Sequence, residues 1–185
     1  MIRITEPEKF YYDQCSQDEF IKLYGFVQRS IDICLEEDKC LLESDSSEMS
    51  VAHRMAMYLE EQIKWDYPRF VVDIEHNKGY GGYNHRTKRV KNRPARLDIA
   101  AHMRDKDETG QYDNLIAIEL KKESRARKYP EEVAKDKLRL DSLTDYGEGY
   151  AYRAAFMIFM NEKTIWITEA YSRNCRGQHV DYEIV

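Results

Sequence analysis

Apolar residues recur at helical spacing through Phe20, Leu23, Tyr24, Val27, Ile31 and Leu35, behind a capping box at Ser16-Gln17-Asp18-Glu19. This pattern predicts a helix over about 16–42. Ser44-Asp45-Ser46-Ser47 breaks it and caps a second helix over about 48–64, whose stripe is Ala52, Met55, Leu59 and Ile63. Glu48 lies one turn before Ala52 on that stripe, so it is either exposed at the helix end or aimed into a site beside the core.

The period then changes from that of a helix to that of a strand. Phe70-Val71-Val72-Asp73-Ile74-Glu75 has strand composition and runs toward Gly79, with Gly81-Gly82 close behind. From Arg96 to His102 the alternation puts Leu97, Ile99 and Ala101 on one face and Asp98, Ala100 and His102 on the other. The apolar run over 114–121 predicts a buried strand, on which Glu119 and Lys121, two apart, project from the same side. Pro130-Glu131-Glu132 opens a further helix reaching about 145, with proline suited to a first turn and acids matching the positive end of the dipole. Two strands over 152–160 and 163–168, joined at Asn161-Glu162, complete the order: helix, helix, three strands, helix, two strands. There is no internal repeat and no low-complexity tract.

Composition adds limits. With 185 residues, 42% of them hydrophobic, the chain fits one compact domain, able to bury roughly 70% of its unfolded surface without staples. Cys15, Cys34, Cys40 and Cys175 form no CxxC pair, which argues against a disulfide framework and for a reducing, cytoplasmic setting. The longest apolar run, 154–160, is far below a membrane span, and the first residues lack a signal peptide's apolar stretch, so a soluble, unexported protein is expected. The net charge of −5 conceals a dipole: residues 1–48 carry 12 acids and 5 bases, whereas residues 76–128 carry 7 acids and 14 bases. Within the basic part, Lys78, Arg86, Lys88, Arg89, Lys91, Arg93 and Arg96 occur without an acid, interleaved with Tyr80, Tyr83 and His85. This reads as an exposed loop or hairpin tip suited to a polyanion, with a solvated basic face as the bland alternative.

An E-x-K triplet means little alone, and Glu37-Asp38-Lys39 is another instance inside the first helix. Glu119-Leu120-Lys121 differs because it closes the most apolar strand, where charged side chains are costly unless partnered or bound to metal. Asp98 occupies the same kind of position on the preceding strand, and Glu48 enters from a helix end, so three carboxylates and one lysine can converge.

The helix with Glu48, the strand over 70–75, the strand with Arg96-Leu97-Asp98, the strand with Glu119-Leu120-Lys121, the helix over 130–145 and the strand over 152–160 together resemble the core of the PD-(D/E)XK nuclease superfamily. The likeness covers about two thirds of the chain. It departs at Leu97, where the family name has proline. The resemblance implies an α/β fold, a restriction-endonuclease-like core with a central mixed β-sheet flanked by helices. It divides a single domain into an N-terminal helical extension (1–44), the nuclease-like core (45–170) and a C-terminal segment (171–185). It also implies divalent-metal-dependent hydrolysis of phosphodiester bonds, in DNA ahead of RNA and as an endonuclease ahead of an exonuclease. Asp98 and Glu119 would hold Mg²⁺ or Mn²⁺, Lys121 would assist the nucleophile, and Glu48 would complete the site. Oxygen-only ligands suit these hard cations. Lys78, Arg86, Lys88, Arg89, Lys91, Arg93, Lys122 and Arg125 are the candidate contacts to nucleic acid.

Alternatives stay open at several residues. Glu60 and Glu61 lie on the same helix as Glu48 but pair in register with Lys64, as on a solvated face. Asp73 and Glu75 either face the site or pair with Arg69 or the basic segment. On the helix after Pro130, either Lys137 faces the scissile phosphate or Lys135, Asp136, Lys137 and Arg139 form a solvated network. The quartet itself could be a set of ion pairs in which Lys121 neutralises Glu119. His53-Arg54 reads as a surface pair, His102 as a hydrogen-bonding neighbour of the Asp98 face, and Cys175 with His179 as lacking the partners a zinc site needs. The rival functions are a catalytically silent module of the same fold that binds nucleic acid or protein, and a small structural or regulatory protein docking through its acidic N-terminal helices. Cutting both DNA strands needs two sites, which makes a homodimer through those helices the expected assembly.

Overall fold

In the computed structural model, which describes residues 15–76, 89–90, 93–94, 96–105, 113–145 and 151–172, the Ser16 side chain accepts the backbone N–H of Glu19 at 3.1 Å and starts α1 (Gln17–Glu37). This helix buries Phe20, Leu23, Val27, Ile31 and Cys34. It ends earlier than the sequence pattern suggests because the Asp38 carboxylate accepts from Arg54 Nε at 2.7 Å and the Tyr58 hydroxyl at 2.5 Å. A short α2 (Lys39–Glu43) follows. Ser47 caps α3 (Glu48–Ile63) by accepting from Ser50 N at 3.1 Å, and Val51, Ala52, Met55, Ala56, Leu59 and Ile63 form its buried stripe.

Seven strands are present among the described residues: β1 (Val71–His76), β2 (Arg89–Val90), β3 (Arg93–Pro94), β4 (Leu97–His102), β5 (Asn114–Lys122), β6 (Ala154–Met160) and β7 (Ile165–Ser172). Strands β2 and β3 pair separately, and the other five form one mixed sheet in the order β1-β4-β5-β6-β7. β5 and β6 are parallel and every other neighbouring pair is antiparallel. A parallel pair cannot be joined by a tight turn, and here the crossover is made by α4 (Glu123–Lys128) and α5 (Pro130–Thr144). The class is therefore α/β with a mixed sheet and helices, as the order of elements implies. α4 has no counterpart in the order of elements expected from the sequence. At β6–β7, Asn161 Oδ1 accepts from Lys163 N at 2.9 Å and Thr164 N at 3.0 Å, which closes the turn.

Alternation along β5 sets the two cores. Ile116, Ile118 and Leu120 join α1 and α3 in one cluster with Ile99, Ala101, Phe156 and Ile158. Ala117 belongs to the other cluster, with Ala100, Met157 and the α5 residues Val133, Leu140 and Leu143. Leu97 falls in this second cluster rather than with Ile99; it pairs with His76, next to the left-handed Glu75 (φ 50°) that interrupts β1.

The first helix is a wall of the main core, with Phe20 stacked 6.0 Å from Phe156 of β6. Arg153 fastens it: the guanidinium pairs with Glu19 of α1 and with Asp113 just before β5. Glu19 also accepts from the Tyr67 hydroxyl at 3.1 Å, so its side chain serves this junction rather than the reciprocal half of the capping box. Among the described residues no helix is long and apolar enough to cross a membrane. Lys78, Tyr80, Tyr83, Arg86, Lys88, Lys91, Cys175 and His179 lie outside the described residues, as do the side chains of Arg89 and Arg93.

Candidate active site

Glu119 and Lys121 share one side of β5 with Ala117, which packs toward α5. The antiparallel register, Ile99 with Ile118 and Ala100 with Ala117, brings Asp98 to the neighbouring place on β4. There the Asp98 carboxylate replaces the ladder and accepts from Leu120 N at 2.8 Å. Glu48 arrives from the first turn of α3, and its Oε1 accepts from Lys122 N at 2.7 Å. Asp98, Glu119, Lys121 and Glu48 thus gather around the C-terminal end of β5, where Asp98 feels the charges of Lys121 and Glu48, and Glu119 those of Asp98 and Lys121.

Two residues of α5 that the sequence reading did not place there complete the cluster. Asp136 is buried; its Oδ2 lies 3.0 Å from Lys121 Nζ and its Oδ1 2.9 Å from Arg139 Nη2. The same Arg139 nitrogen is 2.5 Å from Glu119 Oε1, a close ion pair. Lys121 is therefore matched to Asp136, and Arg139, not Lys121, meets Glu119. Lys137 pairs with Glu169 of β7, and Lys135 is exposed. The signal for Asp136 was present in the sequence: it occupies the helical stripe of Val133, Leu140 and Leu143.

Burial and charge shape the protonation states. Glu119 is 1% exposed, and burial first, then the nearby Asp98, push its carboxyl well above the ordinary value. Asp98 is also raised, by burial chiefly and by Glu48, against the Leu120 N–H and Lys121. Burial works against the charge of Lys121, but the Asp136 hydrogen bond and the surrounding carboxylates outweigh it and hold its pKa above the ordinary lysine value. Lys121 is consequently a cation at neutral pH. Four carboxylates, Asp98, Glu119, Glu48 and Asp136, thus gather around the two cations Lys121 and Arg139, and burial together with the neighbouring Asp98 favours a retained proton on Glu119.

Beside the cluster is a cleft of about 360 Å³ whose lining includes Asp45, Lys122, Glu123 and Arg127. Two of its cations are engaged: Lys122 Nζ is 2.6 Å from Asp45 Oδ1 and Arg127 pairs with Glu123. Arg125 meets Glu132 at 3.1 Å and remains half-exposed. Glu61 pairs with Lys64 on the outer side of α3, and Glu75 meets Arg96 at 3.0 Å. Arg54 is occupied by Asp38 and Tyr58, whose hydroxyl accepts from Arg54 Nη2 at 2.7 Å, while His53 is exposed. Asp73 does not join the quartet; its partners are His102, with Nε2 2.8 Å from Oδ2, and Arg104, with Nη2 2.5 Å from Oδ1.

Comparison with family models, curated proteins and solved structures gives no match to this chain.

Proposed function

We propose that the chain is a divalent-metal-dependent nuclease that hydrolyses phosphodiester bonds in DNA, built on a restriction-endonuclease-like core of the PD-(D/E)XK type. The observation that carries this reading is the gathering of Asp98, Glu119, Lys121 and Glu48 around the end of β5, where Asp98 accepts from Leu120 N and Glu48 from Lys122 N. The order of elements supports it: the Glu48 helix, β1, the Asp98 strand, the Glu119–Lys121 strand, α5 and β6 follow one another as the resemblance requires.

The donor chemistry suits a hard dication, although the three carboxylates would have to close on it, since among the described residues only Asp73, His76 and His102 hold ligand atoms within 4.8 Å of one another. Asp98, Glu119 and Glu48 offer oxygen alone, and Asp98 and Glu48 each commit one oxygen to a backbone N–H, which fixes the carboxylate while leaving the other free to ligate. When bound, Mg²⁺ or Mn²⁺ would polarise a phosphate oxygen and make a water ligand more acidic. The chain's own groups do the rest. Protonated Lys121 orients the attacking water by donating to it and stabilises negative charge developing on the phosphate. Asp136 holds the Lys121 ammonium in place, and Arg139 holds Glu119. Lys122 and Arg125, immediately beyond β5, exchange their carboxylate partners for phosphate oxygens of the substrate.

The test is cleavage of supercoiled plasmid and of single- and double-stranded oligonucleotides with Mg²⁺, Mn²⁺ or EDTA, with Glu119→Ala and Lys121→Ala beside the parent protein. Metal-dependent cutting that disappears in both variants is the expected result; cutting retained by Glu119→Ala would sink the assignment.

One observation favours a second reading, the silent binding module: the chain Glu119–Arg139–Asp136–Lys121 already pairs its charges internally. That reading expects salt-dependent DNA binding shared by parent and variants, with no Mn²⁺ titration that depends on Asp98 and Glu119.

A further inference from the structure

On a regular strand, residues three apart point to opposite faces, so Asp73 and His76 should not meet. Glu75, between them, is left-handed (φ 50°), an uncommon state for a residue with a side chain. Its backbone breaks the alternation, and His76 Nδ1 comes to 4.0 Å from Asp73 Oδ2. His102, at the far end of β4, reaches the same oxygen with Nε2 at 2.8 Å, and the two imidazoles lie 3.9 Å apart, centroid to centroid. One ligand atom from each of Asp73, His76 and His102 lies within 4.8 Å of the other two. Both rings are buried, while the Asp73 side chain is 28% exposed and opens the group to solvent.

The hydrogen-bond chemistry of His102 points beyond an ordinary pair. Its Nδ1 is 3.1 Å from the Met103 carbonyl oxygen and its Nε2 is 2.8 Å from a carboxylate oxygen, and both of those partners only accept. A neutral imidazole has one N–H to give. Either the ring is a buried imidazolium, or Nδ1 donates to Met103 and the Nε2 lone pair shares a cation with Asp73. The second arrangement is how a metal-bound histidine is held, with its other nitrogen donating to a backbone carbonyl. Arg104, 2.5 Å from Asp73 Oδ1, orients the carboxylate and leaves Oδ2 to face the rings.

We propose that Asp73, His76 and His102 form a binding site for a divalent cation of the zinc class, separate from the oxygen-only group of Asp98, Glu119 and Glu48. Two imidazoles with one carboxylate suit a borderline metal better than Mg²⁺, and three protein ligands leave a position for water. Zinc holds N and O donors at about 2.0–2.2 Å, so its ligand atoms sit roughly 3–3.5 Å apart, and the His76 ring, with Nδ1 now 4.0 Å from Asp73 Oδ2, has to close on the other two. The ion fastens the edge strand β1 to β4.

The experiment uses the full chain, stripped with EDTA and then titrated with Zn²⁺ against a chromophoric chelator, and in parallel with Co²⁺ followed by visible absorption. One zinc per chain is expected. Asp73→Asn and His76→Gln, checked for folding by circular dichroism, should weaken it by more than the roughly 10- to 100-fold that loss of an outer-shell partner costs. The Asp98→Asn/Glu119→Gln double variant should bind zinc like the parent, which separates this site from the proposed nuclease centre. Because His102 is wholly buried, the cobalt spectrum of the unaltered protein supplies a readout free of refolding effects: ligand-field bands of nitrogen–oxygen coordination are expected. Absence of bound zinc, affinity unchanged in folded Asp73→Asn and His76→Gln, or thiolate charge-transfer bands in the cobalt form would each overturn the proposal.

Discussion

Asp136→Ala tests the joint that holds the candidate site together. The carboxylate is buried and accepts from Lys121 at 3.0 Å and from Arg139 at 2.9 Å. Removing it strands Lys121, whose other near charges, Glu119 and Asp98, act on it without a hydrogen bond, and leaves Arg139 with Glu119 alone. Breaking a buried pair by removing one partner costs roughly 3–5 kcal/mol. Water reaches these cations in part, with 15% of the Lys121 and 23% of the Arg139 side chain exposed, which sets the expectation at the low end, about 3 kcal/mol. With a urea dependence of about 2 kcal/mol/M, the denaturation midpoint should fall by about 1.5 M. Asp136→Asn, which keeps an acceptor of the same shape, should cost about half as much. Adding Lys121→Met to Asp136→Ala should cost less than the sum of the two, because no ammonium is then stranded, with a coupling of about 1 kcal/mol or more. A midpoint for Asp136→Ala within ~0.2 M of the exposed control Glu131→Ala, or strict additivity with Lys121→Met, would refute the view that this carboxylate holds the two cations.

Other expectations follow from the same structure. Glu119 titrates above its ordinary value of 4.5, so above that pH the folded chain retains a proton the unfolded chain has lost, and stability falls as pH rises through the folded pKa. In EDTA, the melting temperature of the parent should therefore decline relative to Glu119→Gln as pH rises from about 4.5, and Mg²⁺ should reduce the decline; a difference that is flat or grows with pH contradicts the raised pKa. Arg153→Ala unpairs Glu19 and Asp113 together and should cost about 3–5 kcal/mol by chemical denaturation, against near zero for Lys39→Ala at the exposed Lys39–Glu43 pair. Ser47→Ala removes the cap of the helix that presents Glu48 and should cost about 1 kcal/mol.

Local pattern carried the reading of the fold a long way. The caps at Ser16 and Ser47, the stripe on α3 and the alternation of β5 are all short-range features, and the elements follow them; on β4 the alternation holds for Ile99 to Ala101 but not for Leu97. What the pattern did not hold was decided by distant partners. Nothing near Asp38 signals a helix end; Arg54 and Tyr58, 16 and 20 residues later, create it. α4 has Ala126 as its buried residue and so shows no apolar stripe. In the candidate site, Asp98, Glu119 and Lys121 share a face by the two-residue period, whereas Asp136 and Arg139 required the α5 stripe to be read with an acid in it. His76 escaped because a single left-handed residue overrides alternation, and a glutamate gives no hint of that conformation.

The Glu19–Arg153 pair joins residues 134 apart in the chain. During synthesis, both the ionic anchor of α1 and Phe156, on which Phe20 stacks, are made more than a hundred residues after the helix itself. The apolar face of the helix must therefore wait, uncovered on that side, until β6 has left the ribosome. Completion of that side of the core becomes a late event, and a product terminated within α5 would carry the first helix without the β6 strand that covers it there.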